Sequence, residues 1–321
     1  DPKIIIWDAT TMQQLKVLKG FHQRAVTSLG FSPDGKMLCS VGMDDYHSLA
    51  VWDWNEAHLI ASTRCSPDKV FDVNFSPFNP NLIVTCGVKH VTFWTLEGPN
   101  KIKGQKGTLE GLGKIQTMNC MEFPAPDITL VGTASGEIYI FKGNKLLKFV
   151  DKAHPGGVTA LWSPEKGGAD VFSAGSDGIL RRWKMDPAGA LTPEAEKIEL
   201  KLPGEPAGLK ARAITRKGDT FAIGTMTSEL ITVNLESKAI QVLLRGQSNG
   251  ETWGLAADPQ QQKFITVSED KTLRVFDAET REQIAMRTIP QLAYCANFSQ
   301  DGKLIAIGMD LADMDWTRRT E

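Results

Sequence analysis

The sequence lacks the features that would mark a disulfide-rich, membrane-spanning or strongly charged protein. Its five cysteines are an odd number and form no C-x-x-C pair, so we expect reduced, buried thiols. No apolar run approaches the roughly 18 residues of a membrane helix, and no secretory signal is recognisable, so we expect a chain that is neither secreted nor membrane-spanning. Lys and Arg number 36 against 38 Asp and Glu, a net charge of -2, which argues against a nucleic-acid binder driven by overall charge.

The common catalytic patterns are also absent. GFSPDGKM (30–37) begins like a P-loop, but Met37 stands where a magnesium-binding Ser or Thr is needed, and the segment joins two strands. GLGK (111–114) lacks the third glycine of a dinucleotide fingerprint, and no G-x-S-x-G occurs. The five histidines have no metal-ligand spacing with cysteine or with one another. We therefore predict no enzymatic activity, no cofactor and no metal site.

What the sequence does contain is an internal repeat. Similar strand ends, most of them aromatic, recur 42 to 50 residues apart at Trp7, Trp52, Trp94, Phe141, Trp183, Val233 and Phe276. A period of about 40 to 45 residues with four strands per unit is typical of the blades of WD-repeat propellers. Because the large ring recurs with the period, we interpret it as a packing residue between neighbouring blades, in preference to a stacking platform for a cofactor.

The segments before each anchor agree with this interpretation. AVTSLGFSPDGKMLCSVG (25–42) and FDVNFSPFNPNLIVTCG (71–87) each read as two short strands joined by a turn. The turn SPDG (32–35) contains residues that supply turn geometry, and almost no helical periodicity is visible.

We therefore predict an all-β, seven-bladed WD-repeat β-propeller over residues 1–310. Six full blades are expected between about 24 and 287, and the terminal strands of 1–19 and 291–310 are expected to share the seventh. This closure would remove exposed sheet edges, which invite aggregation. Residues 311–321 do not alternate and are predicted as a tail of unknown structure.

Two histidines precede first strands and are candidates for a buried polar network. His22 would pair with Asp44 or Asp45, and His154 with Asp177; Asp270 stands at the corresponding position of a later repeat. A buried network of this kind can hold turns in place when its members are satisfied. General acid–base catalysis by such a pair would require a substrate pocket, which the sequence does not indicate.

Two sets of residues are candidates for contact with a partner protein. Lys101, Lys103 and Lys106 lie in a lysine-rich outer strand and loop (98–114), where they either protect an exposed edge strand or contact an acidic partner. Blade position alone assigns the second set to the face where first strands begin: Arg24, Asp45, Lys69, His90, His154, Asp177, Glu251 and Lys271.

The runs GFHQRAVTSLGFSPDGKMLCSVGMDDYHSLAVWDW and VFDVNFSPFNPNLIVTCGVKHVTFWTLEG, together with ETWGLA, resemble the propeller of the echinoderm microtubule-associated protein family. The similarity extends over roughly residues 3 to 308. The resemblance implies tubulin or microtubule binding, two tandem propellers, an upstream hydrophobic motif and, in many members, an N-terminal coiled coil. Some members of the family belong to cilia and flagella.

Three functions follow as hypotheses. The first is a non-catalytic, microtubule-associated scaffold in the cytoplasm, on the cytoskeleton or in a cilium, with tubulin, microtubules or axonemal proteins as partners and no nucleic acid or membrane. The second is a general protein-interaction adaptor in a ciliary or ubiquitin-ligase complex, since fold alone does not give function. The third is an enzyme with a cluster of catalytic groups at the channel, which the sequence does not favour.

Overall fold

The structure is a computed structural model that describes residues 2–164, 167–202, 208–245 and 252–309, without the side chains of Glu196 and Arg245. All regular elements in these ranges are β-strands, and each strand pairs with the next one along the chain within its sheet. The alternation of apolar and polar residues in the repeats accounts for this, because it matches the two-residue period of a strand with one buried face.

The strands form six four-stranded and two two-stranded sheets within the described ranges. The first two-stranded sheet consists of β1 (Lys3–Trp7) and β2 (Gln14–Lys19). The next three sheets consist of β3 (Val26–Phe31), β4 (Met37–Gly42), β5 (Leu49–Asp53) and β6 (His58–Thr63); β7 (Val70–Ser76), β8 (Asn79–Gly87), β9 (His90–Leu96) and β10 (Ile102–Lys106); and β11 (Met118–Ala125), β12 (Ile128–Thr133), β13 (Ile138–Lys142) and β14 (Lys145–Val150).

Three further four-stranded sheets consist of β15 (Val158–Trp162), β16 (Asp170–Gly175), β17 (Ile179–Met185) and β18 (Leu191–Glu199); β19 (Ala211–Lys217), β20 (Thr220–Thr225), β21 (Glu229–Asn234) and β22 (Ile240–Arg245); and β23 (Thr252–Ala257), β24 (Lys263–Ser268), β25 (Thr272–Asp277) and β26 (Gln283–Thr288). The last two-stranded sheet pairs β27 (Ala293–Phe298) with β28 (Ile305–Met309).

The chain divides into two compact units. The first contains the described residues of Asp1–Gly224 and Thr232–Ile240, and the second contains those of Thr225–Ile231 and Gln241–Glu321. In the first unit each sheet packs face to face on the next, and in the second β23 and β24 pack on β27. The four-strand repeat unit predicted from the sequence is confirmed. The predicted closing blade stays a prediction, because β1–β2 and β27–β28 are each described as a separate two-stranded sheet, and residues 310–321 lie outside the described ranges.

The third-strand tryptophans lie between sheets of the first unit, as predicted. Trp52, Trp94 and Trp183 expose 3%, 6% and 3% of their surface and belong to clusters that join two neighbouring sheets. Trp94, for example, packs with Cys39 and Val51 of the β3–β6 sheet. Trp7 differs, since half of its surface is exposed on β1. The tryptophan therefore contributes to the packing between sheets at three of its four third-strand positions.

The cysteines are free thiols in the structure. Cys39, Cys86 and Cys120 are buried, Cys65 is half-buried and Cys295 is exposed. Burial raises the pKa of the Cys65 thiol to about 12 and the pKa values of the three buried thiols further still. These four thiols are therefore protonated packing groups rather than nucleophiles.

The packing of one sheet junction leads to a stability prediction. The Phe221 ring is fully buried, with its centroid 4.8 Å from that of Phe172 and 5.6 Å from that of Trp162. Phe221→Ala should lower the free energy of unfolding by about 3–5 kcal/mol in urea denaturation, through lost transfer energy and a residual cavity. Phe149→Ala, at a ring that is 41% exposed, is the control and should cost less, about 1–2 kcal/mol. Equal losses for the two variants would contradict this description of the core.

Candidate functional site: the turns before the third strands and the β10 lysines

A buried hydrogen-bond chain fixes the turn between β16 and β17. The Trp183 indole donates Nε1–H to Ser173 Oγ at 2.7 Å, and Ser173 Oγ lies 2.6 Å from His154 Nε2. His154 Nδ1 lies 2.9 Å from Asp177 Oδ1, which also accepts the backbone N–H of Ile179 at 3.2 Å. Burial lowers the pKa of His154, so the neutral ring donates from Nδ1 and accepts the serine proton at Nε2. The network predicted for His154 and Asp177 is thus present.

The corresponding chain at His22 is shorter than the sequence suggests. His22 Nε2 lies 2.7 Å from Ser40 Oγ, which accepts the Trp52 indole N–H at 2.9 Å. The predicted bond to an aspartate does not form, and His22 Nδ1 has no partner among the described residues. Asp44 turns into its own loop and accepts the backbone N–H of Tyr46 at 3.1 Å, and Asp45 pairs with Arg24 at 2.8 Å on the surface.

In other sheets, different side chains stabilise the corresponding turn before the third strand. The sequence did not predict these pairs. In the β11–β14 sheet, Gln116 Nε2 donates to Glu137 Oε2 at 2.5 Å, and Glu137 also accepts the Thr133 hydroxyl at 2.9 Å. In the β23–β26 sheet, Asp270 pairs with Arg274 at 2.9 Å, with both side chains at most 5% exposed. A carboxylate two residues or fewer before the third strand is the shared sequence signal, while its partner changes from His to Gln to Arg.

The turns of the first unit share one edge. Positions within one residue of equivalence bond one another both near the start of the first strands, where Asn119 Nδ2 donates to Val158 O at 2.9 Å, and nearer their middle, where Ser28 Oγ accepts the Val73 N–H at 3.1 Å. The first strands therefore run side by side in the same direction. Loops that precede a first strand, or that join a second to a third strand, therefore lie at a common edge. The candidate residues of the first unit at this edge are Arg24, Asp45, Lys69, His90, His154 and Asp177.

These candidates differ in what they present to solvent. Arg24 and Asp45 are exposed but paired with each other, and Lys69 is exposed. His90 is half-buried, with its Nδ1 3.0 Å from Val88 O. His154 is fully buried, which leaves its side chain no surface for a partner.

The remaining candidates of this set are Asp177, Lys271 and Glu251. Asp177 exposes 10% of its side chain and belongs to the buried network. Lys271 lies in the turn before β25 of the second unit, and Glu251 lies outside the described residues.

The predicted lysines of the 98–114 segment lie on and beside the outer strand β10. Lys101 pairs with Glu97 at 2.6 Å and remains 70% exposed. Lys103 and Lys106 are exposed on β10 and, among the described residues, have no carboxylate within ion-pair distance. Both readings of this segment, a protected edge strand and a contact for an acidic partner, are consistent with this placement.

Neither a metal-ligand cluster nor a membrane-spanning helix occurs in the described part of the chain. No three His, Cys, Asp or Glu side chains there are grouped so that they could hold a metal ion. No helix in the same ranges has the length and apolar character needed to cross a bilayer.

Asp72 joins the first strands of three neighbouring sheets. Its carboxylate accepts the Asn74 side-chain N–H at 3.1 Å and the Met121 backbone N–H at 3.3 Å, and Ser28 Oγ lies 3.5 Å away. Burial raises the pKa of Asp72 to about 6, although the hydrogen bond from Met121 and the charge of Arg212 act in the opposite direction. This carboxyl therefore loses its proton as the pH rises through about 6.

The fold and these turns define a WD-repeat β-propeller. A solved structure with the same fold is the Cps50 (Swd1) β-propeller domain of Myceliophteria thermophila, with a TM-score of 0.65 at 18% identity over 83% of this chain and 86% of that one. Residues 1–233 match the family profile described as the echinoderm microtubule-associated protein first beta-propeller, and residues 238–277 match a WD-repeat profile. The chain belongs to the echinoderm microtubule-associated protein family, which confirms the resemblance seen in the sequence.

Named relatives agree with this assignment. Echinoderm microtubule-associated protein-like 2 of Rattus norvegicus is 31% identical over 96% of this chain and 46% of its own length. Echinoderm microtubule-associated protein-like 1 of Homo sapiens is 33% identical over 96% of this chain and 37% of its own length. The 77 kDa echinoderm microtubule-associated protein of Strongylocentrotus purpuratus is 29% identical over 96% of this chain and 44% of its own length. The chain therefore spans less than half the length of these relatives.

The raised pKa of Asp72 predicts a loss of stability with rising pH. Because the carboxyl binds its proton more tightly in the folded chain, the contribution of Asp72 to stability is greatest below about pH 4, and up to about 3 kcal/mol of it is lost as pH rises through about 6. Asp72→Asn cannot ionise, so the natural chain should lose about 2 kcal/mol relative to this variant between about pH 4.5 and pH 7.5. The measurement is urea unfolding at both pH values. Asp151→Asn, at an exposed carboxyl, is the control, and parallel pH profiles for natural chain and Asp72→Asn would refute the assignment.

Proposed function

We propose that this propeller is a non-catalytic scaffold that binds tubulin or microtubules. The observation that carries the proposal is the match of residues 1–233 to the first propeller of a family whose named members are microtubule-associated proteins. Because the chain spans less than half of these relatives, binding by this propeller alone is the specific claim. The corresponding location is the microtubule cytoskeleton of the cytoplasm, and a ciliary setting stays a prediction.

The charge of the first unit gives the proposal a physical basis. Tubulin is strongly acidic, and the exposed lysines of β10 have the complementary sign. Exposed charges of this kind accelerate association and lose their effect as salt screens them, with a Debye length of about 8 Å at physiological ionic strength. The propeller should therefore bind tubulin faster and more tightly at low salt than at physiological salt.

The β10 lysines provide the mutational test of this proposal. Lys101, Lys103 and Lys106 changed together to Glu should weaken binding to soluble tubulin about tenfold or more at low salt, because three attractive charges become repulsive. The measurement is binding of the purified chain to soluble tubulin and to sedimented microtubules at two salt concentrations.

A matched triple variant distinguishes the effect of the lysines at β10 from the effect of the change in net charge. Lys16, Lys19 and Lys36 are exposed lysines elsewhere in the first unit, and their joint change to Glu alters the net charge by the same amount. We expect this variant to bind nearly as well as the natural chain. Equal weakening in both triples would exclude a β10 contact, and no binding by the natural chain to either form of tubulin would contradict the proposed function itself.

A further inference from the structure

A groove lies beside Lys106, at the end of β10 in the first unit. Its volume is about 350 Å³, and it runs between the start of β9, the end of β10 and the segment that leads into β11. Val91 and Met118, which are 4% and 2% exposed, form part of its apolar lining together with Leu109. Ile115 also lines it, with 73% of its surface exposed. An isoleucine so exposed at the side of a groove has apolar surface that a ligand can cover.

Hydrogen bonds hold the segment that contains Ile115. The Tyr139 hydroxyl accepts the Lys114 backbone N–H at 2.8 Å and donates to the Lys114 carbonyl at 3.0 Å. At the start of the segment, Thr108 N–H donates to Asn144 O at 2.8 Å. Because both ends of the segment are fixed, the groove is formed before any ligand arrives, which lowers the entropic cost of binding.

The polar side of the groove has one sign of charge. Lys89 and Lys106 are among the residues that line it, and no carboxylate is among them. The nearest acidic residue of the segment, Glu110, accepts a hydrogen bond from the Thr108 hydroxyl at 2.7 Å. The groove thus combines apolar surface with two ammonium groups, and a ligand that complements it must be partly apolar and acidic.

His90 also lines the groove. Its Nδ1 donates to the Val88 carbonyl, so the neutral ring carries its lone pair at Nε2. Burial lowers the pKa of His90 and favours this neutral form. Nε2 is buried and has no partner among the described residues. His90 therefore lines the groove as a neutral ring and adds no charge to it.

The backbone conformation at Lys89 allows its side chain to be removed without strain. Lys89 precedes the third strand of its sheet with a φ of 60°, a left-handed conformation that disfavours residues other than glycine. The corresponding turn position is occupied by Gly136 and Gly178 in two other sheets, with φ of 98° and 72°, and by Ser228 and Lys271 in two more, with φ of 64° and 59°. Positive φ is therefore a property of this turn, and glycine can replace Lys89 to remove its side chain without adding backbone strain.

We infer that this groove binds an acidic segment of a partner polypeptide. In this arrangement the segment places an apolar side chain against Ile115 and Met118, and its carboxylates lie near Lys89 and Lys106. The inference deepens the proposed function and rests on it only where the segment belongs to tubulin, because the chemistry of the groove is independent of the partner's identity.

The test uses fluorescently labelled synthetic peptides and the purified chain. The probe is a glutamate-rich peptide with one central leucine, and two control peptides replace either the leucine by serine or the glutamates by glutamine. The probe should bind with an affinity that falls as salt rises, and each control peptide should bind about tenfold more weakly. Equal binding of the three peptides would overturn the inference.

Two groove variants, each with a matched control, localise the binding. Ile115→Asp should weaken the probe about tenfold, whereas Ile284→Asp, at an isoleucine that is 50% exposed on β26, should not. Lys89→Gly should weaken it several-fold with an unfolding midpoint that is unchanged or higher, because glycine accepts the positive φ. Lys271→Gly is its control, since Lys271 has a φ of 59° at the same turn position of another sheet.

The outcomes separate this inference from the proposed function. The inference is supported if both groove variants bind the probe peptide more weakly and both control variants bind it as the natural chain does. Binding that is unchanged in Lys89→Gly, or equally reduced in Lys271→Gly, excludes it, even if tubulin still binds the natural chain. A third outcome is that inorganic phosphate displaces the probe and the serine-containing control peptide binds as tightly as the probe. This outcome would identify a simple anion site and would also overturn the inference.

Discussion

A tryptophan indole that donates to a hydroxyl group on the adjacent strand recurs through the first unit, and the rest of the structure depends on it. Trp52 donates to Ser40, Trp94 to Thr85 and Trp183 to Ser173, at 2.7 to 2.9 Å. Each ring packs between two sheets, so one side chain links the register within a sheet to the contact with its neighbour. A buried donor left without its acceptor would cost about 1–3 kcal/mol, which makes the hydroxyl as important as the ring.

The same hydrogen-bond chains connect the core to the surface turns. Where a histidine extends the chain, as at His154, the serine hydroxyl leads through the ring to the carboxylate that caps the turn. Where no histidine is present, Gln116 or Arg274 occupies the equivalent role. The scaffold therefore fixes the turns with buried groups and leaves their outward side chains available for contacts. This division suits an interaction module, because binding residues on a rigid frame lose little entropy when a partner arrives.

The sequence was sufficient for the parts of the structure that repeat. The spacing of Trp52, Trp94 and Trp183 predicted both the strand repeat and the packing role of the ring, because repetition is visible without coordinates. It was not sufficient for Asp72, whose contacts come from strands that are far apart in sequence, nor for the Gln116–Glu137 pair, which uses different residue types for a familiar role. The positive φ of Lys89 could not be predicted from the sequence, because lysine does not favour this backbone conformation.

The central proposal is that this propeller binds tubulin through the outer strand β10 and the adjoining edge that contains Lys89, His90 and Lys106. Hydrogen exchange of the purified chain, with and without tubulin heterodimer, tests it most directly. The account predicts slower exchange in residues 88–90 and 102–115 when tubulin is present. It also predicts unchanged exchange in the turn at 32–36, which lies at the opposite edge of its sheet. Slowing confined to such opposite turns, or no slowing at any residue, would contradict the account.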